Sequence, residues 1–161
     1  MRQEEDSQEA VIRKAKQKAM RLLEQMDRSE RNLRQKLAQN GFPPKAVDAA
    51  VDYVKSYVYV DDGRYASNYL AYRLQMKSRQ KLFQELYQKG VSKEIIEEAW
   101  AEVSADESPD ERALIRRQVL KKYEPGSRLD VGQMRRLYGF LARKGFRYDD
   151  IRSVLEEEDI C

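Results

Sequence analysis

The chain has 161 residues, 41% hydrophobic and 37% charged, with a net charge of only +3. This is enough apolar material for one domain or a short repeat array, but it leaves more charge than a compact globule readily places on its surface, so an elongated shape with thin local cores is expected. Histidine is absent and the single cysteine, Cys161, is the last residue, which removes the commonest general base, any intrachain disulfide and any spaced zinc site.

Residues 1–8 are acidic, with Glu4, Glu5 and Asp6 against Arg2, and are expected to be disordered. Ala15, Ala19, Leu22, Leu23 and Met26 then form the stripe of a first helix. Leu33 and Leu37, four apart, share one face of a second, and Gly41 ends it. Pro43 and Pro44 suit the start of a third helix, with Val47, Val51 and Val54 facing inward. Asp61 or Asp62 is expected to cap a helix beginning near Arg64, whose stripe is Ala66, Tyr69, Leu70 and Leu74. Leu82 and Leu86 precede Gly90, and Ser92 with Glu94 opens a helix bearing Ile96, Trp100 and Val103. Ser108-Pro109-Asp110-Glu111 reads as a capping box with proline in the first turn, before Leu114, Ile115, Val119 and Leu120. Pro125-Gly126 marks a turn, Asp130 with Gln133 a second box, and Leu137, Leu141, Gly145, Ile151 and Leu155 close the series.

Three segments starting at Leu33, Leu82 and Leu137 align without a gap. Gly41, Gly90 and Gly145 coincide, each followed by an apolar residue: Phe42, Val91 and Phe146. Val51, Trp100 and Leu155 also share one position, so Trp100 is expected in the core. The fold class predicted is all-α: three tandem three-helix repeats forming an elongated, curved array, with residues 9–58, 59–105 and 106–161 as the repeats. One triplet is too small to hold much core alone, so neighbours are expected to pack on one another. No stretch approaches the roughly 20 apolar residues of a membrane span and no signal-peptide core opens the chain, so a cytoplasmic protein is expected. With no glycine-rich phosphate loop and no catalytic constellation, the chain reads as a binding protein, not an enzyme, with no cofactor and no metal.

The run Tyr59-Val60-Asp61-Asp62-Gly63-Arg64-Tyr65-Ala66, with Tyr69 and Arg73, resembles the RecX family, as do Leu33 to Phe42 and Gly145-Phe146-Arg147-Tyr148. Tyr65 stands where the family usually has phenylalanine, and Asn32 where it tends to have the glutamate of a capping box after Ser29. The resemblance implies three helical triplets and a negative regulator of the RecA recombinase. Such a protein lies along the groove of the RecA–DNA filament and inhibits its ATPase, strand-exchange and coprotease activities. The implied partners are that filament and single- or double-stranded DNA within or beside it, and a monomer is expected. A stand-alone helix-turn-helix-like DNA-binding protein is the alternative compatible with basic triplets.

Two basic blocks, from Arg13 to Lys36 and from Arg112 to Arg147, lie between acidic ends and suit a polyanionic partner. On charge density the partner-binding candidates are Arg73, Lys77, Arg79, Lys81, Arg116, Arg117, Lys121 and Arg135. Lys36, Lys89 and Lys144 instead sit where a cation complements a helix C-terminus. The motif residues Asp61, Asp62, Arg64, Tyr65 and Ala66 divide between two roles: the aspartates favour the positive helix start, and Arg64 bridges to a carboxylate of a neighbouring repeat, or the group meets the partner directly. Tyr53, Tyr57, Tyr59, Tyr65, Tyr69 and Tyr72 are expected to line helix contacts, with stacking on bases as the second possibility.

Overall fold

A computed structural model describes residues 2–105 and 110–161, and helices are the only regular structure among them. The nine described helices are α1 (Arg2–Gln25), α2 (Glu30–Gln39), α3 (Pro44–Ser56), α4 (Asp62–Arg73), α5 (Arg79–Gln88), α6 (Lys93–Val103), α7 (Glu111–Leu120), α8 (Val131–Arg143) and α9 (Tyr148–Glu157). None is long and apolar enough to cross a membrane.

The acidic start is helical, not disordered. Glu4 and Glu5 lie in the first turn of α1, where carboxylates favour the positive helix end. Residues 2–9 are exposed, and the helix first meets the core at Val11 and Ile12, which are partly buried against it. The cap of α7 is Asp110, which accepts from the Arg112 and Ala113 N–H groups. Ser108 and Pro109, expected to form that cap, lie outside the described residues. The Asp130–Gln133 capping box of α8 forms as expected.

Each second helix ends in the same turn. Gly41, Gly90 and Gly145 have φ of 89°, 88° and 89°. The next residue donates its N–H back across the turn: Phe42 to Leu37 O, Val91 to Leu86 O, Phe146 to Leu141 O. This six-to-one closure folds the apolar residue onto the helix it ends.

The chain divides into two units, Met1–Asn68 with Leu86–Ala99, and Tyr69–Glu85 with Trp100–Cys161. The core of the first is Ala15, Ala19, Leu22, Leu33, Leu37, Ala46, Val47, Ala50, Val51, Val54 and Val60. The core of the second is Leu114, Ile115, Val119, Leu137, Leu141, Phe146, Ile151, Val154, Leu155 and Ile160. The middle triplet is split: Leu86, Val91, Ile96 and Ala99 fall in the first unit, and Leu70, Leu74 and Leu82 in the second. Among the expected core positions, Leu23, Tyr69, Val103 and Trp100 are only half-buried, and Met26 and Leu120 depart further. The Trp100 ring is edge-on to Phe83 at 5.7 Å and covered by Arg79 at 5.5 Å. Met26 lies beyond the end of α1 and is exposed, and Leu120 ends α7 on its outer face.

Candidate functional site

The two aspartates of the motif do different jobs. Asp61 caps its own helix, its Oδ1 accepting the Arg64 N–H at 3.0 Å. Asp62 reaches the start of α2 and accepts the Glu30 N–H at 2.8 Å. Beside it the Ser29 hydroxyl accepts from Asn32 N and donates to Lys89 O at 2.8 Å. The second unit repeats this joint. Glu111, the first residue of α7, accepts the Arg79 N–H at 2.9 Å. The Ser78 N–H donates to Lys144 O at 3.1 Å. In both joints the first residue of one triplet satisfies an orphan N–H of the preceding triplet's second helix. Ser29 and Ser78 are buried at them.

Arg64, expected to bridge to a carboxylate, has no such partner among the described residues. Its guanidinium donates to Val58 O at 2.9 Å and Tyr59 O at 3.2 Å, clamping the turn between α3 and α4. Ala66 is fully buried and Tyr65 half-buried. Burial raises the Asp62 pKa, against the pull of the Glu30 N–H and Lys55. A carboxyl raised on folding favours the folded state most below its unfolded pKa and loses that contribution as pH rises through the folded value. Asp62→Asn keeps the acceptor without the buried charge and is therefore expected to match or exceed the native stability at neutral pH. Asp62→Ala strands the Glu30 N–H and is expected to cost about 1–2 kcal/mol. Urea midpoints of the two variants check this.

The candidate cations separate into paired and unpaired sets. Lys77 is spent on Glu85, which also accepts from the Tyr69 hydroxyl at 2.8 Å. Burial alone would raise the Glu85 carboxyl, but Lys77 and Tyr69 outweigh it and hold it below its ordinary value. Arg73 lies 3.8 Å over the Tyr69 ring, and Arg79 is 4.9 Å over Phe83. Lys81 packs its stem against the Gly145 turn. Arg116 is bound by Glu157 and Glu158. Arg112 at the start of α7 pairs with Asp150 of α9, and Arg128, beyond α7, pairs with Asp159. Arg117, Lys121 and Arg135 are exposed, and none has an ion-pair partner among the described residues.

Charge density along the sequence missed a stronger feature. Residues 131–148 hold Arg135, Arg136, Arg143, Lys144 and Arg147 with no acid. Gly132, Arg136, Gly139 and Arg143 recur on one outer face of α8, at the i, i+4, i+7 and i+11 spacing. The Arg136 Nη1 lies 3.4 Å from where a Cβ on Gly132 would sit, and the Arg143 Nη1 3.3 Å from the Cβ position of Gly139. The guanidinium groups thus lie flush on a bare helix surface. Gly139 is mid-helix, where glycine costs about 1 kcal/mol relative to alanine, so the fold gains nothing obvious from it. Residues 10–23 are acid-free in the same way and hold Arg13, Lys14, Lys16, Lys18 and Arg21. Two of the third helices have the opposite sign, whereas α3 balances Lys45 and Lys55 against Asp48 and Asp52. Glu94, Glu97, Glu98 and Glu102 face a single Lys93 in α6, and Asp149, Asp150, Glu156 and Glu157 a single Arg152 in α9.

The tyrosines do not all line helix contacts. Tyr65 and Tyr69 are half-buried, whereas Tyr53, Tyr57, Tyr59 and Tyr72 are exposed. In the second unit Tyr138 and Tyr148 stack at 4.9 Å beside Arg135.

Models of the three RecX domains match this chain in order: the first three-helix domain at residues 15–53, the second at 61–99 and the third at 110–155. A Clostridium botulinum protein named Regulatory protein RecX is 32% identical over 152 residues, 94% of this chain and 71% of that relative. A Clostridium perfringens protein of the same name is 35% identical over a shorter stretch, and this chain spans 31% of its length. The crystal structure of RecX from Lactobacillus salivarius superposes with a TM-score of 0.67 at 19% identity, covering 93% of this chain and 97% of that one, which shows a shared fold. Three domain matches in order, a relative aligned over nearly the whole chain and the shared triplet architecture place this chain in the RecX family of regulatory proteins.

Proposed function

We propose that this protein is a negative regulator of the RecA recombinase that binds the RecA–DNA filament along its groove. Bound there, it inhibits ATP hydrolysis, strand exchange and coprotease activity. Membership of a regulatory family supports a protein partner. The observation that carries the reading to a filament is that acid-free cationic stretches occur in both units, at residues 10–23 and 131–148. Two polycationic contacts on one chain suit a polymer with repeating phosphates and subunits, because the second contact forms at high effective concentration. The flush arginine face of α8 is the proposed phosphate contact in the second unit, joined by Arg117, Lys121 and Arg135.

The stand-alone helix-turn-helix alternative places the third helix of a triplet in the major groove. The acidic α6 and α9 oppose phosphate approach, which weighs against it. ATP turnover by RecA on single-stranded DNA, titrated with this protein, tests the proposal. Substoichiometric protein is expected to slow turnover. Undiminished turnover at equimolar protein, together with tight sequence-dependent duplex binding, would favour the alternative.

A further inference from the structure

An exposed aromatic cluster in the first unit sits at the turn that Arg64 clamps. Tyr53, Tyr57 and Tyr59 are 36%, 58% and 46% exposed. Their rings form a ladder: Tyr53 meets Tyr57 edge-on at 5.2 Å, and Tyr57 stacks on Tyr59 at 5.6 Å with 18° between the planes. Lys16 of α1 stands 4.9 Å over the Tyr53 ring. Arg13 lies one turn before it on the same side of α1, without an ion-pair partner among the described residues.

The backbone beneath the ladder is in an unusual state. Val58 has φ of 58° and fills the left-handed position of a helix-ending turn, closed by Val58 N–H to Lys55 O and Tyr59 N–H to Val54 O, both 2.9 Å. Glycine is the ordinary choice there; a β-branched residue is strained. Val58 is 54% exposed, so burial does not compensate the strain. Strain that no packing repays, held by a dedicated guanidinium clamp, points to a surface shaped for contact.

We infer that this ladder is a stacking site for the bases of single-stranded nucleic acid, with Lys16 and Arg13 meeting the adjoining phosphates. Ring faces accept any base, and neighbouring cations follow the backbone, the usual combination for sequence-tolerant single-strand binding. Paired bases keep their faces inside the duplex, so the site discriminates against double strands. The clamp gives the Asp-Asp-x-Arg motif a purpose on this surface: Arg64 positions Tyr59 without touching the ligand. The inference is separate from the recombinase proposal, because it concerns the chain alone.

The test measures binding of the full chain to labelled oligothymidylate, to an abasic strand of equal length and to a duplex, with tyrosine fluorescence as a second signal. Oligothymidylate is expected to bind more tightly than either competitor and to quench the tyrosines. The pair Tyr57→Ala and Tyr59→Ala is expected to weaken that binding about tenfold or more, and the pair Tyr57→Phe and Tyr59→Phe to restore it. Tyr72→Ala, an exposed tyrosine outside the ladder, is expected to bind normally. Equal affinity for the abasic strand, or native affinity in the alanine pair, would overturn the inference. So would an alanine pair that loses its effect on RecA while the native chain binds no oligonucleotide, which would make the ladder a protein anchor.

Discussion

Gly145→Ala is expected to lower stability by roughly 2–5 kcal/mol, and Gly41→Ala by only about 1–2 kcal/mol. Both glycines have φ of 89°, so both substitutions force a side chain into the left-handed region. The difference lies in their surroundings. A Cβ on Gly145 would lie 2.2 Å from Ser78 Oγ, 2.4 Å from Lys81 Cβ and 3.3 Å from Lys81 Cα. Ser78 is buried and its N–H is bonded to Lys144 O, so the serine cannot withdraw without opening the joint. Around Gly41 nothing lies within 4 Å of such a Cβ, which leaves the backbone cost alone. Gly90 falls between them, because its obstruction is the Arg31 side chain, 2.2 Å away at Cδ but 2.6 Å at Cβ. Urea unfolding of the three alanine variants tests the ranking; equal losses at Gly41 and Gly145 would mean that the joint contributes no packing.

The second large effect is electrostatic. Neutralising the α8 arginines with Arg135→Gln, Arg136→Gln and Arg143→Gln is expected to reduce the salt dependence of filament inhibition by about two to three units of log affinity per log salt. The fold is expected to survive, since the three guanidinium groups have no ion-pair partner among the described residues. Arg116→Glu is the contrasting variant. It places a carboxylate against Glu157 and Glu158 and is expected to lower stability, whereas Arg117→Glu is expected to leave stability unchanged and weaken binding. Inhibition and melting temperature measured across a salt series separate the two effects.

What was legible in the sequence is local chemistry. A glycine after a leucine pair ends a helix, so the three turns were readable, as was the Asp130–Gln133 box; a cap at Asp61 or Asp62 was readable too, but not which of the two supplies it. Relations between distant residues were not readable. Nothing at Asp62 says that its oxygen serves Glu30, more than thirty residues earlier. Arg116 and Arg117 look alike until Glu157 and Glu158, about forty residues on, fold back on one of them. Trp100 shares its repeat position with Val51 and Leu155, yet the larger ring stays half-buried under Arg79. The three glycines align equally, but only the structure shows which turns are pressed by a neighbour. Charge density pointed to Lys77 and Arg116, both spent on carboxylates, and left out Arg136 and Arg143, which share a helix whose cations cannot all point one way; that these two lie over Gly132 and Gly139 is visible only in the structure.

Cross-linking the protein to assembled RecA–DNA filaments, with the linked residues mapped by mass spectrometry, tests the filament reading most directly. Links are expected from residues 10–23 and from 131–148 in the same complex. Links confined to one of these stretches, or to the acidic faces of α6 and α9, would contradict that reading.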